Sequence, residues 1–387
     1  MNSKFKKNEE KLFISNKGIN ILKITRNYGV DLARIISMIC IINHHIIFHG
    51  GLLSKTKKYS FEFNFFIFFN IMCCTGVNIF GMISGFVGYN KHKYSNLLFL
   101  LFTTFYYNFG VAFFFNNFWP KIMIKNIQEY LIPIFITNYW YFNSYFLMYF
   151  FIPAINKGIM GMNHIEMKYF LINLFIIFSC LGQLKNYIKI FNKKDYLLLK
   201  NGFSHSWLII LYLYGSYFGR FKNIKNKKPY FYIKYFSLIL LSLLIRTKII
   251  LNTYHKYNYS RGMNIDYTSP SAVLISISFI IIFATVNINN KFIIKFISFF
   301  SPLTFGIYLL HNHNLFRKFI ITKKFLWLFN FHSNKLILIE IICSIILFLI
   351  CAILDYIRHL IFKLFRIRQF CMLIVKSFQI MANKIIF

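Results

Sequence analysis

The sequence predicts an all-α integral membrane protein, a polytopic bundle of about ten transmembrane helices, and three observations support this fold class. Hydrophobic residues make up 57% of the 387 residues and charged residues only 14%, which is too apolar for a soluble domain of this length. Apolar windows of about 20 residues, the length that crosses a bilayer, recur along the chain. Lysines and arginines fall mainly between these windows, as they do at the ends of membrane spans.

Ten apolar windows define the predicted transmembrane helices. The fourth, sixth and ninth are short or polar at one end, so nine or eleven spans fit the pattern as well. The segment from Trp119 to Ile136 carries three charged residues among isoleucine and leucine, and we predict that it forms an amphipathic helix at the membrane interface. The ten windows are residues 30–48, 65–87, 94–115, 139–155, 169–184, 204–218, 230–251, 271–286, 299–313 and 336–357.

The charge balance indicates a membrane partner. Lysine and arginine outnumber aspartate and glutamate by 45 to 10, but no soluble basic domain is visible, so we expect contact with the lipid bilayer and none with nucleic acid. A mild excess of basic residues in the inner segments favours a cytoplasmic N-terminus, and ten spans would return the C-terminus to the cytoplasm as well. The chain then divides into a basic N-terminal tail at 1–29, a transmembrane domain at 30–357 and a basic C-terminal tail at 358–387. The seven cysteines show no metal-ligand spacing, so no metal site is predicted.

The first span carries a polar stripe that is costly inside a membrane. Arg34 and His45 are eleven positions apart, which on a helix brings them to the same face with a rise of about 16 Å between them. Asp31 and His49 lie on that face too, whereas His44 points about 100° away from it. The first helix is therefore expected to present one polar edge to the interior of a helical bundle.

The two ends of this stripe suit different chemistry. The Arg34 guanidinium is suited to binding phosphate. An imidazole kept neutral by partial burial, such as that of His45, can take a proton from a hydroxyl. In the structural alternative, Arg34 pairs with Asp31 and reaches toward the lipid headgroups, and His45 is an interfacial histidine with its hydrogen bonds satisfied.

Other polar or small residues recur at similar depths. His311 lies in the ninth span at a depth similar to that of His45, so either the two share a polar pocket or His311 is a capping residue. We expect Gly85 to let two helices pack closely and leave the role of Ser84 open. The run Tyr139–Tyr141 stands at a predicted interface and is expected to belong to an aromatic belt, although these side chains could also stack on a sugar.

Four stretches of the chain match one family in order. RNYGVDLARIISMICIINHHIIFHGG, from Arg26 to Gly51, contains an arginine, ten residues and then a histidine, and it resembles the opening of the acyltransferase 3 family of membrane-bound acyltransferases. Three later stretches are similar to that family's Ser-Gly-Phe segment, its aromatic fourth span and its late segment with Tyr-Leu-x-His. They are GVNIFGMISGFVGY (76–89), NYWYFNSYFLMYFFIPAIN (138–156) and SPLTFGIYLLHNH (301–313).

The resemblance implies an enzyme of about ten spans that moves an acyl group, usually acetyl from cytoplasmic acetyl-CoA, to a hydroxyl of a surface or envelope polysaccharide or glycolipid. Acyl-CoA is then a donor substrate, and no cofactor is bound permanently. His45 occupies the position of the family's essential histidine and Arg34 that of its arginine. The histidine either deprotonates the acceptor or carries the acyl group itself.

Five further residues are predicted to bind substrate, and two of them depart from the family pattern. Many members carry an arginine-rich loop after the Ser-Gly-Phe segment, whereas this chain reads NKHKYSN with Lys91 and Lys93. Lysines hold phosphate as point charges, which puts bidentate binding there in doubt. The five residues are Asp31, Ser84, Lys91, Lys93 and His311.

Two other functions fit the same residues. In a transporter or flippase for an envelope glycan intermediate, the polar stripe would line a pathway through the membrane. Spans broken by glycine or proline at matching depths would favour that function, and the sequence shows none. In an acyltransferase-like scaffold without activity, replacing Arg34 would leave the cell-surface carbohydrate unchanged.

Overall fold

The computed structural model describes residues 26–118, 130, 139–184, 195, 197–221, 228–257 and 266–386, and this part of the chain forms helices and no β-strand. Nearly all of the predicted N-terminal tail and of the predicted interfacial helix between Trp119 and Ile136 lies outside the described residues. The helices are α1 (Tyr28–His49), α2 (Leu52–Lys55), α3 (Phe61–Cys74), α4 (Gly76–Gly88), α5 (Tyr94–Phe118), α6 (Trp140–Gly161), α7 (His164–Leu174), α8 (Gly182–Leu184), α9 (His205–Phe221), α10 (Pro229–Tyr257), α11 (Pro270–Thr285), α12 (Lys291–Phe300), α13 (Thr304–Asn312), α14 (Asn314–Phe316), α15 (Ser333–Leu364) and α16 (Ile367–Ile386).

The predicted all-α membrane bundle is confirmed. Within the described residues, seven helical segments are long and apolar enough to cross a membrane, and α11 is a shorter apolar helix of 16 residues. The fourth and sixth predicted windows correspond to α6 and α9, which are not among the seven, so the count of ten remains a prediction. The seven segments are Tyr28–Lys55, Phe61–Gly88, Tyr94–Phe118, His164–Leu181, Pro229–Thr253, Lys291–Asn312 and Ser333–Leu364.

Helix α1 lies at the centre of the bundle. It begins at an Asn27 cap, whose side-chain oxygen accepts a hydrogen bond from the Val30 amide at 3.1 Å, and it ends before two glycines, the second of which, Gly51, has φ of 91°. It contacts α3, α4, α11, α12, α13 and α15. Because it is surrounded on most sides, its polar stripe faces protein and not lipid.

The ninth predicted span begins too late. The predicted window starts at residue 299, whereas the apolar segment runs from Lys291 to Asn312. A 3₁₀ turn at Ser301–Leu303 joins α12 to α13, and Pro302 occupies the first turn of a helix, where its missing N–H costs nothing. The proline therefore does not end the span.

The C-terminal part of the chain is also helical. The predicted start of the tail, residue 358, falls inside α15, which continues to Leu364. After a short break, α16 follows and packs against α5. Basic residues of the tail thus lie on helices that contact the bundle.

Helices α4 and α9 approach each other through glycines. A Cβ atom added at Gly85 would lie 1.9 Å from the Tyr212 carbonyl oxygen, and one added at Gly215 would lie 1.8 Å from the Met82 carbonyl oxygen. No real Cβ contact is that short, so only glycine allows the two backbones to meet here. The expectation that Gly85 serves helix packing is confirmed.

Replacing Gly85 by alanine is expected to destabilise the protein by at least the roughly 1–3 kcal/mol typical of an overpacked core, because the obstructing atoms are backbone and cannot rotate away. The thermal unfolding midpoint in detergent would measure the loss. Gly110→Ala in α5 is the matched control: nothing lies within 4 Å of the added methyl group, and alanine favours a helix by about 1 kcal/mol over glycine. An equal loss in both variants would contradict this account.

Candidate functional site

One cavity inside the bundle joins the two ends of the α1 polar stripe. It has a volume of about 250 Å³ and lies between α1, α4, α6 and the segment that contains α13. Three predicted site residues line it: Arg34, His45 and Ser84. Its aromatic and polar walls include Phe80, Trp140, Tyr141, Tyr145, Tyr267, Ser301, Thr304, Phe305, Tyr308 and Asn312.

The Arg34 end of the cavity is built around one carboxylate. Asp31 accepts a hydrogen bond from Arg34 at 3.2 Å, from Arg26 at 2.5 Å and from the Ser301 hydroxyl at 2.8 Å. Two guanidinium groups therefore share one carboxylate, which leaves one net positive charge at this end. The Arg34 side chain keeps 24% of its surface exposed, so it remains available to an anionic ligand.

At the other end of the cavity, His45 packs against His311, which does not itself line the cavity. The rings of His45 and His311 have centroids 5.0 Å apart. Nδ1 of His311 donates to the Ile307 carbonyl oxygen at 2.6 Å, which assigns its Nε2 as an acceptor. Among the described residues, neither Nε2 of His311 nor Nδ1 of His45 has a hydrogen-bond partner, although both atoms are buried. The pair is therefore arranged to receive and hold a proton.

His44 has a different environment from its neighbour. Its Nδ1 lies 2.6 Å from the Asn70 side-chain oxygen and 3.3 Å from the Cys74 sulfur, both on α3, and its ring stacks on Phe48. His44 is among the residues that line the cavity, but its hydrogen bonding is directed toward α3. The roughly 100° between successive residues on a helix accounts for the difference.

Ser84 lies between the two ends, beside two tyrosines of α6. Its hydroxyl donates to the Phe80 carbonyl oxygen at 3.0 Å and interacts with Tyr141 and Tyr145. Both tyrosines also lie near Arg34. Ser84 is therefore part of the cavity wall, where its hydroxyl and those of Tyr141 and Tyr145 lie near the Arg34 guanidinium.

The predicted aromatic belt at Tyr139–Tyr141 is wrong. Tyr139 is fully buried and donates to the Leu309 carbonyl oxygen at 3.1 Å, and Trp140 stacks on Tyr267 with ring centroids 5.8 Å apart. The position of these three residues at the end of an apolar window predicts their depth in the membrane. It does not predict which side of α6 packs against other helices. All three residues face the interior of the bundle.

Lys91 and Lys93 lie outside the cavity. They are exposed in the segment between α4 and α5, at the face of the bundle where α1 begins. Between them, Nε2 of His92 lies 3.3 Å from the Tyr149 carbonyl oxygen, and partial burial lowers the pKa of His92. The positive charge of this segment at neutral pH therefore rests on the two lysines.

Several cavity residues were not singled out from the sequence. Ser301, Tyr308 and Asn312 belong to the stretch that carries the late family motif, which was the available signal. No motif in the sequence points to Tyr267, because its position depends on a distant residue, Asn78. The Asn78 side chain donates to the Tyr267 carbonyl oxygen at 2.8 Å and accepts from the Trp207 indole at 3.1 Å. Across the described part of the chain, no group of three or more His, Cys, Asp or Glu side chains is arranged to hold a metal ion.

The arrangement can hold an anionic group at one end of a cavity and remove a proton from a hydroxyl at the other. A family model described as an acyltransferase domain matches residues 27–356, from the cap of α1 to the last turns of α15. Neither a curated protein nor a solved structure gives a significant match. The family match covers well over half of the chain, and the protein therefore belongs to the acyltransferase 3 family.

Proposed function

We propose that this protein transfers an acyl group, most readily acetyl, from cytoplasmic acyl-CoA to a hydroxyl group of an envelope or surface polysaccharide or glycolipid. The observation that carries the proposal is the single cavity on which both Arg34 and His45 open. An acyltransferase needs a site for its donor and a base for its acceptor, and here one helix supplies both. The bundle then lies in the membrane with the start of α1 toward the cytoplasm.

The Arg34 end suits the donor. Coenzyme A carries phosphates, and the net positive charge left by Arg26, Arg34 and Asp31 favours an anion at the mouth of the cavity. Lys91 and Lys93 lie on the same face and add attraction as point charges. The rise of about 16 Å from Arg34 to His45 matches the length of an extended phosphopantetheine arm. The thioester would thus reach the histidine pair while the phosphates stay at the mouth.

The His45 end suits the acceptor. His45 takes the proton from the acceptor hydroxyl as its oxygen attacks the thioester carbonyl carbon. The carbon–sulfur bond breaks, and protonated His45 passes the same proton to the departing coenzyme A thiolate, so the histidine returns to its neutral form and no net proton is consumed. His311, with its free Nε2, faces the His45 ring and stabilises the protonated form. In the second route that this geometry allows, His45 carries the acyl group before the hydroxyl attacks.

Membrane vesicles supplied with labelled acetyl-CoA test the proposal. We expect label to enter the glycan fraction, and we expect Arg34→Gln to raise KM for acetyl-CoA by about 10- to 100-fold through the loss of a charge-assisted hydrogen bond. KM for the acceptor should change little. Lys157→Gln, at an exposed position of α6 outside the cavity lining, is the matched control.

Three results would count against the proposal. Acetyl-CoA that never labels a glycan, in vesicles containing folded protein, would remove the enzymatic assignment. Movement of an unlabelled glycan across the vesicle membrane would favour the transporter. An unchanged KM for acetyl-CoA in Arg34→Gln would remove Arg34 from the donor site.

A further inference from the structure

A second cavity lies at the face of the bundle where α1 ends. Its volume is about 390 Å³, within the range of about 300–1,000 Å³ that small-molecule sites occupy. It is lined by Tyr130, Asn314, Leu315, Arg317, Lys318 and Thr322. Basic and neutral polar side chains therefore predominate, and no acidic residue is among those that line it.

Arg317 connects this second cavity with the central one. Its guanidinium donates to the Asn312 side-chain oxygen at 3.3 Å and to the Asn314 side-chain oxygen at 3.4 Å. Asn312 lines the central cavity and Asn314 lines the second. The Arg317 charge also acts on His45, His49 and His311. Arg317 thus lies between the His45–His311 pair and the second cavity, at the face of the bundle where α1 ends.

The Arg317 charge is not neutralised within the part of the chain that the structure describes. The ion pairs there involve Asp31 and Asp355, and none involves Arg317. Burial lowers the pKa of Arg317, yet a guanidinium stays protonated at neutral pH. A half-buried cation held by two neutral amides favours an anionic ligand, because partial desolvation strengthens the attraction.

The surrounding surface reinforces this preference. The Lys323 amide donates to the His49 carbonyl oxygen at 2.9 Å, which ties the segment after α14 to the end of α1. Lys318, Lys323 and Lys324 are exposed on this segment. Such a group of like charges attracts anions from solution and is sensitive to salt.

We infer that the acceptor carries an anionic group, a phosphate or a carboxylate, which Arg317 binds at the outer cavity while a hydroxyl of the same molecule reaches His45. The inference rests on the proposed function and specifies its acceptor class. With a neutral glycan, Arg317 would be half-buried with no counter-charge from any residue that the structure describes. The carboxylate of an anionic glycan, or the phosphate of a glycan joined to a lipid, would supply a counter-charge to Arg317.

Binding of simple anions to the full-length protein in detergent tests the inference without catalysis. At constant ionic strength, inorganic phosphate or glucuronate should raise the thermal unfolding midpoint of the wild type. The shift should disappear in Arg317→Gln, persist partly in Arg317→Lys and persist fully in Lys157→Gln, an exposed lysine of α6 that lines neither cavity. A larger shift with one of the two anions identifies the group. Equal shifts in wild type and Arg317→Gln, or no shift with either anion, would overturn the inference.

Acetyl transfer to a matched pair of oligosaccharides separates the inference from the proposed function. We expect kcat/KM for the anionic member to exceed that for the neutral one by about 10- to 100-fold, as the loss of a charge-assisted hydrogen bond implies. Arg317→Gln should remove this preference and spare the neutral acceptor. Equal transfer to both by the wild type would overturn the inference and leave the acyltransferase standing. Anion binding at Arg317 without any transfer would support the anion site and overturn the proposed function.

Discussion

Replacing His45 by alanine is expected to lower kcat for acyl transfer by about 10²- to 10⁴-fold, the range for removing a general base. His45 is the histidine of α1 whose ring meets His311 and whose Nδ1 is left without a partner in the described structure. No other group of the central cavity combines these properties. The initial rate of label transfer from acetyl-CoA, per folded molecule in vesicles, measures the effect.

His44→Gln provides the comparison for His45→Ala. The glutamine can replace the hydrogen bond to Asn70 on α3, so we expect this variant to keep most of the transfer rate. The amount of folded protein and the unfolding midpoint of both variants would be determined first. Normal transfer by His45→Ala, or an equal loss in His44→Gln, would refute the choice of His45 as the base.

The α1 part of the site could be predicted because it is local. Arg34 and His45 share a helix face through the regular turn of 3.6 residues, and the structure places both on one cavity. Their partners are not local: Ser301 and His311 come from the segment around α13, more than 260 residues later in the chain. The sequence predicts that His45 and His311 lie at similar depths in the membrane, and the family resemblance includes the stretches that carry both. Only the tertiary packing of α1 against α13 determines that their side chains touch.

The same distinction explains the errors about the fold. Hydropathy indicates how deep a residue lies in a membrane and not whether it faces lipid or protein. It therefore predicts an interfacial position for Trp140, which instead packs inside the bundle. Arg317 follows the ninth window and looks like an ordinary flanking charge. Its half-buried position depends on Asn312 and Asn314, whose orientation follows from the end of α13.

A buried ion pair joins three helices on the other side of α13. The Asp355 carboxylate accepts from Arg358 at 2.9 and 2.8 Å and from the Tyr107 hydroxyl at 2.7 Å. A Cβ atom added at Gly306 would lie 1.8 Å from Asp355, so this carboxylate packs directly against the α13 backbone. Asp355 is 0% exposed and Arg358 4%. The pair therefore connects α15 with α5 and α13, the helix that carries His311.

Asp355→Ala is expected to lower the free energy of unfolding by about 3–5 kcal/mol, because it leaves the buried Arg358 guanidinium without a counter-charge and Tyr107 without an acceptor. Unfolding in mixed detergent would measure the loss.

Arg358→Met leaves the Asp355 carboxylate buried without a counter-charge and should also lower the free energy of unfolding. In the double variant Asp355→Ala with Arg358→Met, neither charge of the pair remains buried, although Tyr107 still lacks its acceptor. The double loss should therefore be smaller than the sum of the single losses, whereas a strictly additive result would mean that the ion pair does not hold these helices together.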